Sequence, residues 1–221
     1  MQVTKKDITF NVVPTPKVTE NFWETQFSDW ENETFEFISK FLNKEKIFID
    51  IGSWVGPISL FASYHSKSCL AFEPDIVAYT ELEKNIKINN IKNIFTEFRS
   101  VSIYDKISLG ALFLGHSCTS SLDTRNTFTS QAVSIDYILL KYNLSESNIS
   151  VIKIDIEGHE EELLKDETLM NLNVPMYISF HPGWAHNREQ YYSNITPFLI
   201  KKGFDIDIVK TFGDFFELKI N

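Results

Sequence analysis

Four carboxylates stand where short apolar runs give way to a turn: Asp50 in IFIDIGSWVGP, Glu73 in LAFEP, and Asp155 with Glu157 in VIKIDIEGHEEELL. In the first segment an apolar strand turns through Gly52 and Gly56 into a helix, and Pro57 suits that helix's first turn, where no N–H is needed. Glycines at such a turn let a ligand approach the backbone, and ligands of open α/β sheets bind beyond the carboxyl ends of the strands. The same glycines can equally serve a tight strand-to-helix connection that binds nothing. Glu73, predicted at the end of the next strand, adds an independent signal, because a carboxylate there can accept both hydroxyls of a ribose. The two features converge on one nucleoside site.

The turn also discriminates between nucleosides. A dinucleotide fingerprint needs glycine where this chain has Trp54 and Pro57, since pyrophosphate requires bare backbone at the helix N-terminus. An acidic turn containing Asp50 better suits a phosphate-free nucleoside bearing an ammonium group, such as S-adenosylmethionine (SAM). Strand alternation puts Asp155 and Glu157 on one side, where paired acids can bind polar groups or take a proton. Glu157 can instead cap the following helix. The five histidines form no H-x-x-x-H or His-Cys pairing, so no metal centre is expected, the alternative being a weak Mg²⁺ site on Asp155 and Glu157. Cys69 and Cys118 lack C-x-x-C spacing, so neither a zinc knuckle nor a disulfide scaffold is indicated, and two buried or idle reduced thiols are expected.

These residues need a frame, and the chain supplies an alternation of β-branched runs with helical patterns, the signature of βαβ units. Strands are expected at 47–51, 68–73, 94–98, 150–155 and 174–180, and helices at 33–42, 57–65, 75–89, 158–170 and 187–202. Two final strands, 204–209 and 214–220, flank the Gly213-Asp214 region and predict an antiparallel hairpin at the sheet edge. Residues 1–22, with Pro14 and Pro16, read as an extended lead-in. The expected organisation is a lead-in segment over 1–32 and one domain over 33–221. Residues 107–134, rich in small and polar side chains, break the alternation and predict a binding loop.

A chain of 221 residues fits one domain, and 43% hydrophobic against 23% charged residues is a globular balance. A net charge of −9 repels polyphosphate backbones and anionic lipid surfaces, so neither nucleic acid nor membrane is an expected partner. No secretory leader or membrane span is read, and a cytoplasmic location follows as the default expectation.

Taken together, IDIGSWVGP, AFEP, the EKNIKINN helix end, IKIDIEGHEEELL and the upstream FWETQFSDWENETFEFI resemble the FkbM family of SAM-dependent methyltransferases over residues 22 to 182. The resemblance implies a Rossmann-like α/β methyltransferase fold with a mostly parallel twisted sheet and helices on both faces, SAM as cofactor, and usually O-methylation. Carried over by position, Gly52, Ser53 and Gly56, with Asp50 and Trp54 in the same turn, would line the methionine end. Glu73 with Pro74 would hold the ribose, and Ser100 and Val101 would approach the adenine. Trp30 and Glu31 would close over the cofactor, and Asp155 with Glu157 would face the acceptor. The chain departs from the family's commoner pattern at Val101, where Ala is usual, and at His181 in SFHPG, where an acid often ends the strand. His181 is thereby a second candidate base beside Asp155, with an intrinsic pKa near neutrality. Trp184 and His186 could complete a sugar-binding wall. The expected reaction is methyl transfer to a hydroxyl of a sugar, glycan or related small metabolite. The alternatives are a nicotinamide-dependent oxidoreductase and a non-catalytic nucleoside-binding module.

Overall fold

A computed structural model describes residues 1–111, 114–116, 119–182, 187–202, 211–212 and 215–219, the last two segments as backbone only. The chain opens with a hairpin, β1 (Gln2–Lys5) and β2 (Ile8–Asn11). It passes through a helical turn at Phe22–Gln26 into α1 (Asn32–Ser39), β3 (Ile47–Ile51), α2 (Pro57–Ser63), β4 (Ser68–Phe72), α3 (Ile76–Ile88) and β5 (Ile94–Glu97). A small three-stranded unit follows, β6 (Ser100–Val101), β7 (Lys106–Gly110) and β8 (Thr127–Val133). The remainder is α4 (Ile135–Lys141), β9 (Ile149–Ile154), α5 (Glu160–Leu163), α6 (Glu167–Asn171), β10 (Met176–Phe180), α7 (Arg188–Lys202), β11 (Thr211–Phe212) and β12 (Phe215–Lys219).

The main sheet runs β11-β12-β10-β9-β3-β4-β5. Its five strands from β10 to β5 are parallel, and β12 and β11 add antiparallel pairings at one edge, where an antiparallel edge was expected, though with its first strand at 204–209. Alternation in these strands sorts the core by face. Ile49, Ile51, Leu70, Ile152, Ile154 and Ile178 pack with residues of α4 to α7, whereas Phe48, Cys69, Ala71, Val151 and Tyr177 pack with α1 to α3 and the hairpin. Helices therefore cover both faces. Because β3 to β5 and β9 to β10 grow outward in opposite directions, strand order reverses between β3 and β9, where open α/β sheets form their ligand crevice.

Several elements differ from the expectation. Residues 158–170 form two short helices, because Asp166 caps the second by accepting from Leu169 N at 2.9 Å. The lead-in holds the β1–β2 hairpin, with Val3 and Phe10 turned into the core. The 107–134 excursion contains the β7–β8 antiparallel pair. Helix α4, absent from the sequence reading, starts at Ser134, whose hydroxyl accepts from Tyr137 N. The predicted strand 204–209, the Gly213-Asp214 turn, Cys118, Trp184 and His186 lie outside the described residues. Among the described residues no helix is long and apolar enough to cross a membrane.

Candidate active site

The carboxyl ends of β3 and β9 meet at Gly52. Its N–H and that of Ser53 both donate to Phe72 O at 3.0 Å, and Asp155 N donates to Ile51 O at 3.0 Å, so the ends of three strands converge. Gly52 takes φ +80°, and a Cβ there would lie 1.8 Å from the Asp155 carbonyl oxygen. Only glycine permits that approach. Trp54 (φ +50°) and Gly56 (φ +89°) complete the turn before α2, with Gly56 N donating to Ser53 O at 2.9 Å.

Above the turn lies a cavity of about 350 Å³, within the range of small-molecule sites. Of the residues singled out from sequence, Trp30, Glu31, Gly52, Ser53, Trp54, Glu73, Pro74, Ser100, Val101, Asp155, Glu157 and His181 line it. Asp50 and Gly56 stand outside that wall. Asp50 is fully buried beneath it, accepting from Ser59 Oγ at 2.5 Å and paired with Lys153 Nζ at 3.3 Å. Burial pushes its carboxyl up, against the pull of Lys153 and Ser59.

Lys153 is one of the residues that the sequence reading missed. It sits in a wholly buried strand, donates to Gly52 O at 2.8 Å, and reaches Asp155 Oδ2 at 3.5 Å as well as Asp50. Burial alone would lower its pKa, but Asp50, Asp155 and Glu31 raise it above the ordinary lysine range, so it stays charged. The available signal was a lysine inside the apolar run VIKID, since a lysine is almost never fully buried without a partner.

At one end of the cavity Glu73 is buried, its two oxygens accepting from Trp54 N at 2.7 Å and Asp75 N at 2.8 Å. Burial pushes its carboxyl up to about 8; Asp75's charge adds to the rise, while the two N–H groups and Lys153 oppose it. Asp75 also caps α3 and accepts from Gly115 N and Thr119 Oγ1, fastening part of the 107–134 excursion beside the cavity, where His116 and Thr119 line the wall. Ser100, bonded to Ser130 at 2.8 Å, and Val101 form a further part.

The roof is aromatic. Trp54 packs on Phe22 with ring centroids 4.5 Å apart and lies 6.1 Å from Trp30, and its indole N–H donates to Gly115 O at 2.9 Å. Lys5 donates to Trp30 O at 2.6 Å and to Phe27 O and Ser28 O at 3.1 Å each, so the hairpin anchors the segment carrying Trp30 and Glu31.

At the other end, Asp155 and Glu157 lie past the end of β9 rather than within a strand, in a turn with positive φ at Glu157 and Gly158, and both line the cavity. Glu160, not Glu157, binds the turn's amides, accepting from Ile156 N and Gly158 N at 3.0 Å each. His181 is buried at the end of β10, with Nδ1 2.9 Å from Glu160 Oε1 and Nε2 3.4 Å from Asp155 Oδ1 and 3.6 Å from Glu157 Oε1. Burial alone would lower the ring's pKa, but Glu160, Glu157 and Asp155 push it up to about 10, away from the neutrality expected of it. His159, by contrast, is lowered by burial and bonded to Ser102 and Ser121.

A parallel sheet with a cavity at its switch point, a buried acid just past the second strand and acids beyond the fourth parallel strand fit a Rossmann-like methyltransferase fold. A Streptococcus mutans methyltransferase candidate solved with S-adenosylhomocysteine shares the fold, with a TM-score of 0.50 and 12% identity over 85% of this chain and 96% of that one. The methyltransferase FkbM domain matches residues 22–206, and the chain belongs to that family. It is 23% identical over 171 residues to the hexuronic acid methyltransferase AglP of Haloferax volcanii, covering 76% of this chain and 70% of AglP.

Proposed function

We propose that this methyltransferase uses SAM to O-methylate a hydroxyl of a sugar, glycan or related small metabolite. The observation that carries the reading is a single cavity bounded by Glu73 at one end and by Asp155, Glu157 and His181 at the other, with Gly52 between them. The AglP relative, a hexuronic acid methyltransferase, supports a sugar as the acceptor class.

The residues fit the cofactor. Glu73 offers two carboxylate oxygens to the ribose hydroxyls, with Pro74 beside it, and Ser100 and Val101 offer a polar and an apolar wall to the adenine. Gly52 and Ser53 leave room for the methionine end, where the Glu31 carboxylate suits the ammonium group better than Asp50, whose charge Lys153 takes up. When bound, SAM would supply an electrophilic methyl group to the acceptor hydroxyl, whose proton a base of this chain would take. Asp155 is that base, within reach of an acceptor on the cavity side of Gly52. Glu157 and His181 position the acceptor, and holding the hydroxyl against the methyl donor contributes much of the acceleration. Methyl-labelled SAM incubated with a panel of uronic acids, neutral sugars and glycans tests the reaction; label on an ether oxygen is expected, and label confined to nitrogen or sulfur of every acceptor that reacts would contradict it.

The raised pKa of Glu73 gives SAM binding a signed pH dependence. Ribose hydroxyls donate to the ionised carboxylate, so binding expels a proton, and affinity should rise with pH until about 8 and level off above it. The gain is at most about tenfold per pH unit below that point. The charged groups beside Glu73 are Asp75 and Lys153, and neither reverses the sign. Free Glu73 itself favours the fold most when protonated, a contribution lost as pH rises from the ordinary carboxylate range through about 8. Calorimetry from pH 6 to 9 in buffers of different ionisation enthalpy measures both the affinity and the released proton; a flat profile without proton release would remove Glu73 from the ribose contact.

A further inference from the structure

We propose that Asp155, Glu157 and His181 form a binding site for one divalent cation of the Mn²⁺ or Zn²⁺ kind, set in the cavity wall where the acceptor is to lie. The three side chains come from two places, the turn after β9 and the end of β10, and each brings one ligand atom to a common point, all of these atoms within 4.8 Å of one another. His181 Nε2 stands 3.4 Å from Asp155 Oδ1 and 3.6 Å from Glu157 Oε1. Ligands about 2.0–2.2 Å from a shared ion are separated by roughly 3.0–3.5 Å, so small side-chain rotations close the site around one.

The surroundings of His181 give the stronger argument. Its Nδ1–H donates to Glu160 Oε1 at 2.9 Å, which fixes the ring with Nε2 turned to the two cavity carboxylates. Metal-binding histidines are oriented in this way, their other ring N–H held by a carboxylate. Glu160 is itself held: it is buried and accepts from Ile156 N, Gly158 N and, at 3.3 Å, Tyr191 OH. Three carboxylates thus surround one imidazole, and a divalent ion bound at Nε2 would take the place of a ring proton among them. One imidazole with two carboxylates favours Mn²⁺, Fe²⁺ or Zn²⁺ over the all-oxygen preference of Mg²⁺ and Ca²⁺. Three protein ligands leave coordination positions open toward the cavity, suited to an acceptor oxygen, which the ion would polarise as a Lewis acid while the Asp155 oxygen not bound to the ion takes the proton.

What the ion holds rests on the methyltransferase reading; the ion site does not. The test is titration of the chelator-treated full chain with Mn²⁺, followed by electron paramagnetic resonance of the free ion, and with Zn²⁺ by calorimetry, with SAM affinity measured separately on the same protein. Saturable binding of one ion per chain is expected, weakened at least about tenfold in Glu157→Gln and His181→Asn, and in Glu160→Gln through loss of the ring's orientation. Circular dichroism certifies that each variant is folded, and Glu157→Gln, at the less buried of the two glutamates, carries the test alone if the others do not fold. Failure of the wild-type chain to bind either ion, or unchanged stoichiometry and affinity in folded Glu157→Gln, overturns the site. An ion bound as expected by a chain that fails to bind SAM would support the site and sink the methyl-donor reading instead.

Discussion

Asp155→Asn is expected to lower turnover by about 10²–10⁴-fold while leaving the fold and SAM affinity nearly intact. The asparagine keeps the size of the side chain and removes its capacity to take the hydroxyl proton. It also removes one of two acidic partners of Lys153, but Asp50 remains 3.3 Å from that ammonium, so no buried cation is stranded. The loss should therefore fall on kcat for the identified acceptor, with SAM binding within about threefold of the wild type. Transient kinetics with saturating SAM measures this directly. Near-normal turnover in the folded variant would show that positioning alone drives transfer and would deny Asp155 its role as base.

Gly52→Ala is expected to cost more than about 4 kcal/mol of folding stability, an exceptional value for a single methyl group. Two effects add. A non-glycine residue at φ +80° occupies a left-handed conformation costing roughly 1–2 kcal/mol. The new Cβ would also lie 1.8 Å from Asp155 O and 2.8 Å from its carbonyl carbon, both backbone atoms that cannot swing aside. The ends of β3 and β9 must separate, breaking the Lys153 bond to Gly52 O and reshaping the cavity between Glu73 and Asp155. Urea denaturation checks the stability and SAM calorimetry the cavity. A loss below about 1 kcal/mol with SAM affinity retained would mean that the two strand ends can part without harm.

The sequence made the central sheet legible because β3, β4, β9 and β10 are buried on both faces and so read as continuous apolar runs. The hairpin at 2–11 and the β7–β8 pair were missed for the opposite reason. Their segments, QVTK with ITFN and KISLG with TFTSQAV, mix Lys, Ser and Thr among few apolar residues, and their pairing depends on partners elsewhere in the chain. Helices α5 and α6 read as one because the apolar period continues across Asp166, whose preference for a cap prevailed. At the site, Gly52, Ser53, Glu73, Asp155 and Glu157 were legible since each follows closely on the end of a strand, the one place in this architecture where side chains from distant segments converge. Glu160 was not, because it is one of three consecutive glutamates and only packing shows which of them turns inward. Asp50, read from sequence as lining the methionine end, lies buried beneath the cavity, because its counter-ion comes from a strand about a hundred residues away.

The central claim is that the cavity between Glu73 and Asp155 is a SAM site, and titration calorimetry of SAM into the wild-type chain and into Glu73→Ala tests it most directly. Charge-assisted hydrogen bonds from the ribose to Glu73 would contribute roughly 1.5–3 kcal/mol. One SAM per chain should bind to the wild type, at least about tenfold more weakly to the folded variant, with NAD giving no heat in either. Equal SAM affinity in both proteins, or saturable NAD binding in place of SAM, would contradict the account.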